Sequence, residues 1–214
     1  MSQTLFITEI FRSIQGESTY AGLPCVFVRL AGCNLRCHWC DTRYSHEPGT
    51  EMTFDEIIAQ LRELQTNGLV EITGGEPLMQ EGTPVFAQRL LDLGYTVLVE
   101  TNGTQAIESL PEKAIRIVDV KCPESGGYFL MNNLSHLDPR RDQVKFVIAD
   151  RIDYEFALDF ARHYLPRQME VLFSAVTDRL PLDRLAGWML DDHCPYRLQL
   201  QLHKIIWEPN ARGV

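Results

Sequence analysis

Apolar positions along the chain switch between two spacings. Residues 5–20 open as a short strand-like run and end in a polar turn, and Cys25–Leu30 (Cys-Val-Phe-Val-Arg-Leu) reads as the first clear strand. At Thr53 the spacing changes. Phe54, Ile57, Ile58, Leu61 and Leu64 recur at helical intervals behind Thr53-Phe54-Asp55-Glu56, a capping box, which predicts an amphipathic helix over 53–66 ending near Asn67-Gly68. Leu69–Thr73 is the next strand, broken by Gly74-Gly75-Glu76-Pro77. A helix over 84–93 (Val85, Phe86, Leu90, Leu91) leads to a strand over Tyr95–Val99, and another follows over Ala114–Val120. Residues 122–142, rich in Gly, Asn, Asp and Pro, read as a long loop. Then come a strand over Val144–Ala149, a helix capped by Asp150 and running to Tyr164, and a strand over Met169–Ser174. Pro181 starts a helix carrying Leu182, Leu185, Ala186 and Met189, and Arg197–Ile206 is expected as a last strand and short tail.

Strands alternating with helices predict an α/β fold with a mostly parallel sheet and right-handed crossovers. Six to seven strands and about four outer helices in 214 residues are too few for a closed eight-fold barrel. A partial, open TIM-like barrel fits better, and a doubly wound sheet shares the same pattern. No repeat, low-complexity segment or long linker divides the chain, so residues 1–214 are expected to form a single domain.

Polar residues gather where the strands end: the loop after Leu30, Thr73-Gly74-Gly75-Glu76, Glu100-Thr101-Asn102, Lys121 and Ser174. In parallel α/β folds those ends share one face, where ligands bind. Each residue alone could be a turn residue. Together they predict a common active site.

The first of these loops holds the densest chemistry. Three of the six cysteines, Cys33, Cys37 and Cys40, are spaced C-x3-C-x2-C. Thiolates this close converge on a metal ion or an iron–sulfur cluster. A structural zinc site wants a fourth ligand. His38 is the nearest donor, and its place between Cys37 and Cys40 would strain a tetrahedron. Three thiolates on a four-iron cluster instead leave one iron open to a small molecule. Cys25, Cys122 and Cys194 are isolated and read as inert thiols.

The cysteine spacing, followed by Gly74-Gly75-Glu76-Pro77, resembles the signature of the radical S-adenosylmethionine (SAM) enzymes. In that family the open iron chelates SAM, and one electron cleaves it to a 5′-deoxyadenosyl radical. Within it, Ile14-Gln15-Gly16-Glu17, Arg29, Cys40-Asp41-Thr42 and Gln201-Leu202-His203-Lys204 resemble the 7-carboxy-7-deazaguanine synthases over nearly the whole chain. Those enzymes contract 6-carboxy-5,6,7,8-tetrahydropterin to 7-carboxy-7-deazaguanine with loss of ammonia, in deazapurine and queuosine biosynthesis. They regenerate SAM and require Mg²⁺.

The resemblance implies that Cys33, Cys37 and Cys40 hold a [4Fe–4S] cluster and that Thr42 serves Mg²⁺. Trp39, Cys40, Asp41, Gly75 and Glu76 would line SAM, with Ser174 and its neighbours Ala175 and Val176 in a further SAM turn. Ile14, Gln15, Gly16, Glu17, Arg29, Thr73 and His203 would contact the pterin. A guanidinium matches the substrate carboxylate, and a glutamine amide matches the pterin's mixed donor and acceptor edge. Bare backbone at the glycines suits an ammonium donor. Three departures stand out. Ser18 replaces a usual glycine, Lys121-Cys122-Pro123 replaces a Ser-Pro-Lys order, and the tail from Trp207 to Val214 overruns the family's usual ending.

Composition narrows the partners. The net charge of −9 argues against a nucleic-acid substrate. No apolar run approaches the ~20 residues of a membrane span, and Met1-Ser2-Gln3-Thr4 lacks the regions of a signal peptide. The expectation is therefore a cytoplasmic enzyme with a small-molecule substrate. An external one-electron reductant of flavodoxin or ferredoxin type would serve it, and a homodimer would cover the open side of the barrel. Two rivals remain at this level: an activase for glycyl-radical enzymes, and a non-catalytic metal-binding module.

Overall fold

The computed structural model describes residues 3–64, 67–208 and 211–214. Among the described residues nine strands form a single sheet. In chain order they are β1 (Thr4–Ile14), β2 (Pro24–Leu30), β3 (Thr50–Thr53), β4 (Leu69–Gly74), β5 (Thr96–Thr101), β6 (Ile115–Asp119), β7 (Gln143–Ile148), β8 (Glu170–Ala175) and β9 (Arg197–Gln199). The spatial order is β3-β1-β2-β4-β5-β6-β7-β8-β9. From β2 to β9 every neighbouring pair is parallel, whereas β1 pairs antiparallel with both β2 and β3. The sheet does not close: β3 is one edge and β9 the other.

Helices α1 (Phe54–Glu63), α2 (Thr83–Asp92), α3 (Arg151–Tyr164) and α4 (Leu182–Asp191) connect the strands. They pack on one face, with Phe54, Ile57, Leu61, Phe86, Leu90 and Tyr154 against Val28, Ile72, Val99, Phe146 and Phe173. Each such side chain contributes roughly 1.5–3 kcal/mol by leaving water. The capping box forms as the sequence predicts: Glu56 N–H donates to Thr53 Oγ1 (3.3 Å) and Thr53 N–H donates to the Glu56 carboxylate (2.7 Å). Asp150 likewise accepts from Asp153 N–H (2.9 Å) to start α3. The end of the helix predicted over 53–66 falls partly on residues 65 and 66, which lie outside the described residues.

Three expectations are corrected. The sheet has nine strands rather than six to seven. β1 is a full strand of 11 residues, not a short run, because its mid-strand charge Glu9 is matched across the ladder by Arg29. β3 is short and polar (Thr-Glu-Met-Thr), an edge strand with little apolar signal to read. The expected final strand stops at Gln199. The chain then turns, and His203–Ile206 forms a short helix, α5. The turn is drawn by Glu17, which holds the Gln199 and Gln201 amides, and by the Leu202 N–H bond to Gly16 O (3.0 Å).

The 122–142 loop is ordered by 3₁₀ turns at Pro123–Ser125 and Met131–His136. Buried Asn133 knits it to the β5–β6 connection, donating to Gly103 O (3.0 Å) and Gln105 O (2.8 Å) and accepting from Ile107 N–H (3.1 Å).

Strand parity divides the sheet's other face into two zones. Phe11, Phe27, Leu98, Ile115 and Ile117 form a small apolar floor, with Phe11 and Phe27 stacked at 5.0 Å. Farther along the same strands Arg29, Glu71, Thr73, Glu100, Asp119 and Lys145 line a cleft above it. No helix of the described residues is long and apolar enough to cross a membrane.

Candidate active site

The cleft has a volume of about 300 Å³ and opens at the C-terminal ends of the parallel strands. Its cysteine wall is built by two loops locked together. Gly74 (φ +145°) and Gly75 pass so close to the cysteine loop that a Cβ would sit 2.3 Å from Leu30 O and 2.1 Å from Gly32 O, respectively. Only glycine allows this approach. Gly75 N–H donates to Leu30 O (3.2 Å) and Glu76 N–H to Gly32 O (2.9 Å).

Cys33, Cys37 and Cys40 all line the cleft. Burial pushes all three thiols up, so binding metal there would release their protons. Among the described residues no three Cys, His, Asp or Glu side chains, these cysteines included, are gathered closely enough to hold a single metal ion. His38 lies outside the cleft, its Nδ1 2.9 Å from Glu124 O. Three thiols on one flexible-length loop beside a bare-backbone wall fit a cluster with one open iron.

Glu76 and Ser174 do not line the cleft. Glu76 is fully buried beneath it and accepts from Leu78 N–H (2.9 Å), Thr101 Oγ1–H (2.8 Å) and Asn102 N–H (2.7 Å). It ties the loops after β4 and β5 together. Ser174 is buried against Gln199, whose amide donates to its hydroxyl (3.0 Å), and Ala175 is also away from the cleft while Val176 lines it. Trp39, Asp41, Thr42 and Gly75 line it too. Thr42 Oγ1 donates to Asp41 Oδ1 (2.8 Å), and Asp41 Oδ2 lies 3.0 Å from Lys204 Nζ.

The cleft is also lined by Ile14, Gln15, Gly16, Glu17, Arg29, Thr73 and His203, brought together from four separate stretches of the chain. Arg29 Nε donates to Glu9 (2.8 Å), and Tyr44 O–H donates to the same carboxylate (2.7 Å). The guanidinium is thereby aimed, and among the described residues its Nη edge carries no bond. Gly16 makes room for His203, whose Nδ1 would lie 2.5 Å from a Cβ there. Burial holds the His203 imidazole below its usual pKa, although Glu17 and Asp41 oppose this.

Gln15 is spent on the protein: its amide donates to Glu71, and its oxygen accepts from Glu17 N–H (3.1 Å). Burial, then the nearby Glu100 charge, pushes the Glu71 carboxyl well above the usual range. Lys145 is the hub of the cleft floor. Its ammonium contacts Glu100, Glu17 (2.8 Å) and Asp119 (3.8 Å). Burial alone would raise Glu17, yet Lys145 and then His203 hold it below the usual carboxylate range. Lys121 pairs with Asp119 Oδ2 (2.8 Å), leaving Asp119 Oδ1 buried without a partner among the described residues.

Glu9, Tyr44, Glu71, Asp119, Lys145 and Lys204 were not singled out as site residues by the motifs. A signal was present for two of them: Glu71 and Lys145 are charges at the middle of otherwise apolar strands. The tail also joins the site, with Trp207, Glu208, Ala211, Gly213 and Val214 lining the cleft and Arg212 stacked 4.1 Å over the Tyr44 ring.

Known proteins can now be set beside this geometry. The family model of the radical SAM superfamily matches residues 28–181. A 7-carboxy-7-deazaguanine synthase of Koribacter versatilis is 48% identical, with 97% of this chain and 99% of that one covered. One of Chlorobaculum tepidum is 44% identical over 98% and 97% of the two chains. The crystal structure of QueE from Escherichia coli superposes with a TM-score of 0.77 over 94% of this chain and 95% of that one; at 21% identity it speaks to the fold.

Proposed function

The chain belongs to the radical SAM superfamily and, within it, to the 7-carboxy-7-deazaguanine synthases, and from that membership we propose how its cleft carries out the reaction. The conversion is 6-carboxy-5,6,7,8-tetrahydropterin to 7-carboxy-7-deazaguanine and ammonia. The observation that carries this reading is the shared cleft, lined both by three thiols at cluster-ligand spacing and by a guanidinium whose Nη edge is unspent.

Cys33, Cys37 and Cys40 hold a [4Fe–4S] cluster, and Trp39, Asp41 and the Gly74–Gly75 backbone border SAM. Bound there, the cluster and SAM would supply radical chemistry, started by one electron from an external donor. The chain's own residues bind and orient. Arg29 takes the substrate carboxylate. Glu17, His203 and Thr73 face the pterin ring as hydrogen-bonding groups. The walls exclude water. Gln15 acts through Glu71 and Glu17, fixing the floor on which the ring lies. Glu76 acts through the loops it joins. Thr42 offers a hydroxyl to Mg²⁺, an ion that prefers oxygen donors and few protein ligands.

An anaerobic reaction of reconstituted protein with SAM, Mg²⁺, reductant and the carboxytetrahydropterin tests the proposal by mass spectrometry. Product should accumulate without matching loss of SAM; SAM cleavage with no deazaguanine would refute the substrate. Arg29→Gln should raise KM for the pterin about tenfold to hundredfold, as removal of a charged hydrogen bond worth about 1.5–3 kcal/mol does, with the cluster's visible spectrum unchanged. Equal KM values would remove Arg29 from the substrate. Thr42→Val should retain the cluster and lose the rate increase that Mg²⁺ gives. An undiminished Mg²⁺ response would take Thr42 out of the metal site.

A further inference from the structure

A ring of hydrogen bonds joins the cysteine loop to the turn after β5. Asn102, in that turn, is 7% exposed and lines the cleft. Its backbone N–H donates to Glu76 (2.7 Å). Its side-chain oxygen accepts twice from Thr104, from the backbone N–H (3.0 Å) and from the hydroxyl (2.6 Å). A backbone N–H can only donate, so the atom facing it is the oxygen, and the amide nitrogen faces the other way. That nitrogen donates to Asn34 Oδ1 (3.2 Å) and lies 3.9 Å from Cys33 Sγ, within reach of an N–H···S bond. Asn34 closes the ring by donating its own amide to Thr104 Oγ1 (2.8 Å). An amide nitrogen carries two N–H groups. Asn34 takes one of those on Asn102, and the other is left for the sulfur. Leu35 N–H approaches the same sulfur at 3.4 Å. Among the described residues Cys33 is the one cysteine of the loop with a side-chain donor.

We propose that Asn102 is a redox-tuning residue: its amide N–H bonds the Cys33 thiolate and makes the cluster held by Cys33, Cys37 and Cys40 easier to reduce. The inference rests on the radical SAM reading above and not on the identity of the pterin. One electron from the external donor adds negative charge that the ligating sulfurs share. A donor aimed at one of those sulfurs bonds the reduced form more strongly than the oxidised one, which raises the reduction potential. No proton moves, and no covalent bond of the protein forms or breaks. The ring supplies the aim. Asn102 cannot turn its amide away without giving up two bonds from Thr104 and one to Asn34, so reduction meets a donor already in place. Burial adds weight, because a hydrogen bond shielded from water is electrostatically stronger.

The test is an anaerobic potentiometric titration of the reconstituted holoenzyme without SAM, followed by the EPR signal of the reduced cluster. Asn102→Leu, matched to the parent in iron content, should shift the reduction equilibrium about threefold to tenfold toward the oxidised form. That is a fall of about 30–60 mV, at about 59 mV per tenfold for one electron. Thr104→Val breaks the hydroxyl links of the ring and leaves the backbone N–H of residue 104 to hold the amide, so its potential should stay close to the parent's. Equal potentials for Asn102→Leu and the parent would overturn the proposal. So would an equal fall in both variants, because the ring would then only brace the loop. A second measurement needs no variant to fold. With ¹⁵N placed in asparagine side chains alone, pulsed EPR of the reduced parent should show a ¹⁵N coupling to the cluster, and its absence would also sink the idea. A parent with no reducible [4Fe–4S] signal would refute the cluster reading and this proposal with it, whereas equal potentials would remove the tuning role alone.

Discussion

Lys145→Met is expected to lower the unfolding free energy by about 3–5 kcal/mol and to abolish turnover, since it strands buried carboxylates without their cation. The Lys145 side chain is 5% exposed and faces Glu17, Glu100 and Asp119. The sign of the pH dependence separates this cause from lost packing. In the parent, Glu17 is held below its ordinary value, so its contribution is present above the unfolded pKa of about 4.3 and is lost as pH falls through the lower folded value. Lys145, held well above its ordinary value, contributes at all pH below about 10.4 and loses that only as pH rises through the folded value. Without Lys145, burial is left to raise Glu17. The variant should then gain more stability than the parent as pH falls from 7 towards 5. Urea melts at several pH values measure both curves, and a deficit that stays constant with pH would refute the electrostatic account.

Replacing any one of Cys33, Cys37 or Cys40 by alanine is expected to have the other large effect. Iron content and visible absorption should fall to background, and SAM cleavage with them, while the melting curve of the metal-free chain stays close to the parent's. The thiols are half-buried on a loop rather than in the core, where substitutions typically change stability by less than about 0.5 kcal/mol. Cys194→Ala, in a partly buried thiol away from the cleft, is the control and should keep its cluster. A cluster surviving the loss of Cys37 would mean that another donor binds it.

The cysteine loop, the parallel sheet and most residues that line the cleft were legible in the sequence, each for a physical reason. Metal-ligand spacing is local, so Cys33, Cys37 and Cys40 announce themselves. The capped helix at Thr53 and the apolar strand at Leu69 follow from side-chain periodicity. What stayed hidden depends on partners far away in the chain. Glu9 makes β1 a long strand only because Arg29 lies opposite. The Thr50–Thr53 strand has no apolar stripe of its own and exists by pairing with β1. Glu76 belongs to a motif that suggests contact with SAM, but three donors from its own neighbourhood engage its carboxylate. Lys145 sits among apolar strand residues, and its role shows only when Glu17 and Glu100 arrive beside it.

Glu17 bonds Lys145, Gln199 and Gln201, which are 128, 182 and 184 residues away along the chain. Contacts of such span pay their loop-closure entropy late and form slowly. Gly32 of the cysteine loop, by contrast, bonds Ser45 and Glu76, which are much nearer along the chain. Refolding should therefore order the start of the cysteine loop before Glu17 meets Lys145, Gln199 and Gln201. Pulse-labelling hydrogen exchange should find the amides around Gly32 protected earlier than Leu202 N–H, whose acceptor is Gly16 O.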